Sequence, residues 1–199
     1  LWLSAQTASG EGRWTNLKIE GKLPKDLNGT LFRTAPGQSE NFGVTLNHLF
    51  DGDAYLSAWR FRDGKVELTG RFLPTPARLK ELEAKKMLHS EYGTQVENAS
   101  GGKVQPSVNV IEWNGKLLGL SEGSLPRIID PKNFDYLGVE NFGGTIPNGF
   151  SFTAHPRFNP KTGDMFAWSQ ENRPPGNVHL FHIGKQTNRA AKLYTVPTM

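Results

Sequence analysis

Two short stretches hold the side chains best placed to do chemistry. Phe152-Thr-Ala-His155-Pro156 sets an imidazole directly before a proline. Proline lacks a backbone donor and drives the preceding residue toward extended geometry, so His155 is expected at a strand end with its ring aimed in a fixed direction. An imidazole held that way suits metal ligation, although a lone histidine is more often an ordinary core or surface residue. The second stretch, Asn47-His48-Leu-Phe-Asp51-Gly52-Asp53, offers two carboxylates and an imidazole, a pattern open to metal binding or general acid/base work. Asp-Gly-Asp is also turn chemistry, in which aspartates accept from nearby amides, and this structural reading is the stronger one. The remaining histidines offer less. His179 and His182 lie three apart in an expected strand, on opposite faces, and so do not readily share a metal. His89 falls near the end of an expected helix, where a cation complements the dipole. The chain is read as lacking a Gly-x-Ser-x-Gly nucleophile motif and a phosphate-binding glycine loop. The absence of cysteine removes thiol catalysis, disulfides and cysteine-type zinc sites.

The elements that must position these residues are short strands. The chain has 199 residues, 36% of them hydrophobic, with 22 Gly and 13 Pro, enough to bury a core but too rich in turn formers for a long-helix protein. Mean hydropathy is −0.51, and no apolar run approaches the roughly 20 residues of a spanning helix. The net charge of +4 is spread along the chain without a basic stripe, so no nucleic-acid partner is expected. Tyr55–Phe61 leads through Asp63-Gly64 into Lys65–Leu68 and Gly70–Leu73, and Val108–Trp113 leads through Asn114-Gly115 into Lys116–Leu120. Asp-Gly and Asn-Gly accept the positive φ angles of a type I′ turn, so both stretches read as hairpins. A third is expected around 159–163, between Phe152–His155 and Met165–Trp168. The turn glycines 64, 115 and 163 are 51 and 48 residues apart, close to the period of about 50 of a propeller blade. Further strands are expected at Arg127–Ile129, Tyr136–Val139, Val178–Phe181 and Ala191–Tyr194. A β-sandwich spaces its strands similarly and is the alternative.

One stretch, 76–88, reads as a helix, with Pro76 at its start and Glu81 four residues before Lys85. It is expected as a surface insertion whose Lys and Glu make a solvated face rather than an interfacial one. Residues 94–106 read as a polar loop and the first dozen as a tail, Leu1-Trp2-Leu3 being too short for a signal sequence. Asn28-Gly-Thr30 and Asn98-Ala-Ser100 fit glycosylation triplets of a kind that chance often produces. At about 50 residues per blade the chain supplies about three, whereas a closed propeller needs at least about four. The expectation is therefore an all-β chain, a partial propeller with a short helical insertion, forming one incomplete domain over 1–199.

Gly21-Lys-Leu-Pro24-x-Asp26-Leu27-x-Gly29-Thr-Leu-Phe-Arg33-Thr-Ala-Pro36-Gly37 resembles the opening of the carotenoid cleavage oxygenase family. So does His48-x-Phe50-Asp51-Gly52-Asp53, followed by Arg60-Phe61-x-Asp63-Gly64 and Arg71-Phe72. The run from Asn109 through Trp113 and Gly115 to Glu122-Gly123 and Pro126 looks like the next hallmark, and Phe152-Thr-Ala-His155-Pro156 the one after it. The matches follow family order from 21 to 163. The resemblance implies a seven-bladed propeller with a non-haem Fe(II) on its axis, held by four histidines. With O₂, such a centre cleaves a carbon–carbon double bond of a carotenoid or apocarotenoid to two carbonyl products. The implied partners are an apolar polyene and O₂, in a cytoplasmic enzyme with peripheral membrane contact.

Carried over residue by residue, His155 matches the first iron ligand. Glu122 matches a carboxylate that orients a ligand imidazole through its other ring nitrogen. The Asp51/Asp53 segment matches a hallmark read as structural. Ser121 stands where the stilbene-cleaving branch has a lysine, which argues against a phenolic stilbene. Ser107-Val108-Asn109-Val110 stands for the family's Asn-Thr-Asn-Val, placing an apolar Val108 near the open metal position. The chain stops at Val196-Pro197-Thr198-Met199, where the resemblance places the next ligand, so residues 1–199 alone are expected to be catalytically inactive. The alternatives from other classes are a non-catalytic propeller that binds a ligand or partner, and a hydrolase built on Asp51 and Asp53.

Overall fold

A computed structural model of the chain describes residues 7–15, 17–171 and 176–197. It divides into two compact units, with the boundary after Ser107. The first unit holds β1 (Gly12–Trp14), β2 (Gly29–Pro36), β3 (Glu40–Asn41), β4 (Val44–Thr45), β5 (Ala54–Arg62), β6 (Lys65–Phe72) and α1 (Pro76–Ala84). Asp63 and Gly64 take φ angles of 51° and 71°, as a type I′ turn requires, and close β5 on β6 from Arg62↔Lys65 to Tyr55↔Phe72. β2 and β1 complete a four-stranded antiparallel sheet in the order β1-β6-β5-β2, while β3 and β4 pair separately. Alternation along β5 buries Ala54, Leu56 and Ala58 completely.

Two expectations change in this unit. The helix ends at Ala84, short of residue 88, because Lys85 turns left-handed at φ 52° and the amide of Lys86 returns to the Glu81 carbonyl. Its start follows the sequence: Thr75 caps it, accepting from the Arg78 amide, and Pro76 occupies the first turn. The described part of the supposed tail is pinned to the sheet. Ala8 N–H donates to the Gly37 carbonyl, the Tyr55 hydroxyl to Gly10 O, and the Phe72 amide to the Glu11 carboxylate, before β1 joins β6. Leu1-Trp2-Leu3 lies outside the described residues.

The second unit contains β7 (Asn109–Trp113), β8 (Lys116–Leu120), β9 (Arg127–Ile129), β10 (Tyr136–Val139), β11 (Arg157–Phe158), β12 (Met165–Gln170), β13 (Asn177–Gly184) and β14 (Arg189–Pro197). These make two antiparallel meanders of four strands, β10-β9-β8-β7 and β11-β12-β13-β14. Asn114 and Gly115 at φ 51° and 78° form the turn of the β7–β8 hairpin. One core joins the two sheets: Trp113, Leu118, Leu120, Phe142, Phe152, Met165 and Ile183 are buried together. The third hairpin differs from expectation. Its first strand is the two-residue β11, and Phe152–His155 is irregular, although Ser151 and Thr153 N–H still donate to the Gln170 and Trp168 carbonyls. Pro156 cannot donate to a ladder, which accounts for the break there.

Among the described residues the chain is thus all-β with one helix, built from three four-stranded antiparallel sheets of the propeller-blade type and the small β3–β4 pair. Among the described residues no helix is long and apolar enough to cross a membrane.

Candidate functional site

His155 lies in the irregular segment between the Ser151–Thr153 pairing and β11. Three groups fix it. Its own amide donates to Thr153 Oγ1 at 3.0 Å, Pro156 follows it into a buried position, and the Asn109 side-chain amide donates to the Ala154 carbonyl at 2.8 Å. The backbone is held while the ring stays open to solvent: the His155 side chain is 63% exposed, and its Nε2 stands 3.5 Å from Glu122 Oε1. That separation is longer than a normal hydrogen bond. Glu122 follows the end of β8 and is itself exposed. Val108 precedes β7, donates its amide to the Leu120 carbonyl, and packs half-buried against the core of the same unit. Val108, Glu122 and His155 therefore all belong to the second unit.

As a fit for a metal, this arrangement supplies one accessible imidazole with a carboxylate beside it. Neutral imidazole is a suitable ligand for Fe(II), but one imidazole is not a coordination sphere. Among the described residues no three His, Asp or Glu side chains converge as a metal site.

The Asp51/Asp53 segment is structural. Asp51 accepts from Gly93 N–H and from Thr94 Oγ1 at 2.7 Å, and His48 Nδ1 accepts from the Phe50 amide while its ring packs on Tyr92. Asp53 accepts from Arg78 Nη1 at 2.6 Å, from Gln105 Nε2 at 3.1 Å and from Lys103 Nζ at 3.3 Å. Both aspartates are almost wholly buried and saturated with protein donors, which leaves a hydrolase no access to them.

At the centre of this network stands Lys103, a residue that sequence reasoning passed over inside a polar loop. Its ammonium lies 2.8 Å from Glu81 Oε2 and 2.8 Å from Glu91 Oε1, in addition to Asp53. Burial pushes its pKa down, but the Asp53 and Glu91 charges and the hydrogen bonds to Glu81 and Glu91 outweigh it and hold the lysine above its ordinary range. Glu81 feels burial as an upward push, yet hydrogen bonds from Lys103, the Leu88 amide and His89 leave its carboxyl below the usual range. For Glu91 burial wins over Lys103, and its carboxyl is raised. The cluster ties α1 and the following loop to the Asp-Gly-Asp turn.

The other histidines are also engaged. His89 Nδ1 lies 3.0 Å from Glu81 Oε1, so its partner is a buried carboxylate rather than the helix end. His179 is buried between Thr195 Oγ1 and Glu171 Oε1, each at 2.9 Å, whereas His182 reaches Asp164 Oδ2 at 3.0 Å. Their separate partners accord with opposite faces of β13.

The sequence also contains a literal Gly-x-Ser-x-Gly, Gly119-Leu120-Ser121-Glu122-Gly123, contrary to the expectation of no such string. No elbow forms there. Ser121 follows the last residue of β8, is buried, and its hydroxyl meets Ser124 Oγ at 3.2 Å, without the strand–turn–helix that exposes a nucleophile.

Residues 5–199 match the family model described as RPE65, retinal pigment epithelial membrane protein. The chain is 33% identical over 168 residues to carotenoid cleavage oxygenase 1 of Neurospora crassa, covering 83% of this chain and 32% of that protein. Resveratrol cleavage oxygenase 1 of Aspergillus fumigatus is 32% identical over 83% of this chain and 34% of its own length. Among solved structures, a variant of the Synechocystis apocarotenoid oxygenase superposes with a TM-score of 0.87 at 26% identity, over 100% of this chain and 45% of that one. The cobalt-substituted form of the same oxygenase matches with a TM-score of 0.84 at 27% identity, over 98% of this chain and 44% of that one. This chain thus spans about a third of the length of the curated relatives it matches. With nearly its whole length inside the family model, the chain belongs to the RPE65/carotenoid oxygenase family.

Proposed function

We propose that the chain forms part of an Fe(II)-dependent oxygenase that cleaves a carbon–carbon double bond of a carotenoid or apocarotenoid with O₂, and that His155 is the first of four histidine ligands. The observation that carries this reading is the held backbone and open imidazole of His155 beside Glu122, within a chain of this family. When bound, iron would supply the activation of O₂. The chain's own residues orient and exclude. Asn109 and Thr153 hold the peptide that aims the imidazole. Glu122 lies on the Nε2 side of the ring, so it pairs with His155 itself if Nδ1 is the ligating atom, and is left for a neighbouring ligand imidazole if Nε2 is. Val108 puts an apolar surface near the open position, where a polyene is better accommodated than water. A single ligand leaves residues 1–199 unable to hold the metal, so this chain alone is read as inactive.

The relative named for resveratrol cleavage gives a specific reason to weigh a stilbene substrate. Ser121 is buried against Ser124 and offers no cation to a phenolate, which favours the apocarotenoid. The test is a hybrid in which residues 7–197 replace the matching part of the Synechocystis oxygenase, assayed with an apocarotenal and with resveratrol. Aldehyde products from the apocarotenal are expected. Cleavage of resveratrol alone would overturn the substrate assignment, and cleavage of neither by a folded, iron-loaded hybrid would favour the binding-module reading.

A further inference from the structure

A cleft of about 560 Å³ lies at the hairpin end of the first unit's sheet, and none of the residues of the proposed metal centre lines it. Four cations line it: Arg13, Arg60, Arg62 and Lys65. Their convergence follows from the register. Arg60 and Arg62 are two residues apart in β5 and share a face, and Arg62 lies directly opposite Lys65 across the turn. Like charges placed opposite each other in an antiparallel pair destabilise it. The two carboxylates at the cleft do not relieve this pair. Glu67 is taken by Arg13 at 2.6 Å, and Asp63 makes no ion pair among the described residues. Arg60 Nη1 donates to Thr69 Oγ1, an uncharged partner. Among the described residues no ion pair holds Arg60, Arg62 or Lys65, although Arg60 lies opposite Glu67 in the register, so four positive charges face two negative ones in a concave space. The rim adds neutral donors: the Thr30 hydroxyl, and the amide nitrogen of Asn28, whose oxygen already accepts from the Asp63 amide.

We propose that this cleft binds a phosphate group. Arg60 and Arg62 present guanidinium forks, which suit phosphate oxygens, and Lys65 supplies a point charge. A cleft focuses the potential of its wall charges, so their effect exceeds that of the same residues on a convex surface. The volume is larger than one phosphate ion fills, which fits a phosphate carried on a larger molecule, either soluble or a lipid headgroup. This site is independent of the metal reading.

The experiment titrates the 199-residue chain with inorganic pyrophosphate, followed by amide NMR, and separately measures its sedimentation with vesicles of phosphatidylcholine with and without phosphatidylglycerol. Saturable shifts centred on Arg62, Gly64 and Lys65, weakening as ionic strength rises, are expected. Pyrophosphate binding without vesicle binding assigns a soluble phosphate. Binding to phosphatidylglycerol vesicles that pyrophosphate competes away assigns a headgroup. Lys65→Glu replaces the like-charge pair with an opposite-charge one, so the hairpin is kept while affinity falls about tenfold or more. Failure of both probes to bind, or equal binding by the folded Lys65→Glu protein, would overturn the proposal.

Discussion

The Asn109 side-chain amide donates to the carbonyl of Ala154 at 2.8 Å, tying the start of β7 to the peptide that leads into His155. Ala154 is fully buried, so this carbonyl has no access to water in compensation. Asn109→Leu strands it at a cost of about 1–3 kcal/mol. Chemical denaturation should show the loss, and Asn109→Asp should show it too, because a carboxylate cannot donate. Stability equal to the parent in both variants would mean that the bond holds nothing.

Lys103 is the sole cation that touches Asp53, Glu81 and Glu91 together among the described residues. Lys103→Met leaves the buried Glu91 without a cation while Asp53 keeps Arg78, and unfolding near neutral pH should become easier by about 3–5 kcal/mol.

The pH dependence has a definite sign. Glu81, with its lowered carboxyl, contributes stability above the unfolded carboxylate value of about 4.3, and loses it as pH falls through the folded value. Glu91, with its raised carboxyl, works in the opposite sense and recovers stability on acidification. Lys103 contributes fully below about 10.4 and ceases to do so as pH rises through its elevated folded value. Without the lysine, protonating the carboxylates becomes the relief available to the cluster. Lys103→Met should therefore melt higher at about pH 5 than at about pH 8, as thermal unfolding at the two pH values would show.

Gly70 is packed where a Cβ would strike the Tyr55 hydroxyl and ring. That hydroxyl anchors Gly10, and Gly70 is itself the register partner of Gly12. Gly70→Ala should cost about 1–3 kcal/mol and release β1 first. Hydrogen exchange should show lost protection at 12–14 while the β7–β8 hairpin keeps its own.

Turn chemistry made much of this fold legible. Asp63-Gly64 and Asn114-Gly115 announce their hairpins because few other dipeptides accept two positive φ angles in succession, and β9 and β10 fall where alternation places them. β1 and β2 were illegible because none of their residues is fully buried, so burial leaves only a weak mark on their sequence. The irregularity at Phe152–His155 was hidden because strand-like side chains there sit on a backbone that Pro156 interrupts. At the site, family resemblance singled out His155 and Glu122. The role of Asn109 depends on a contact 45 residues away, and that of Lys103 on contacts reaching 50, neither of which any local pattern encodes.

Iron content tests the central claim most directly. In the hybrid with the Synechocystis oxygenase, about one iron per chain is expected, falling to a small fraction in His155→Ala while circular dichroism and melting stay unchanged. The separate 199-residue chain should bind no stoichiometric iron. Full iron occupancy in a folded His155→Ala hybrid, or tight one-to-one Fe(II) binding by residues 1–199 alone, would contradict the assignment of His155 as one ligand of a shared centre.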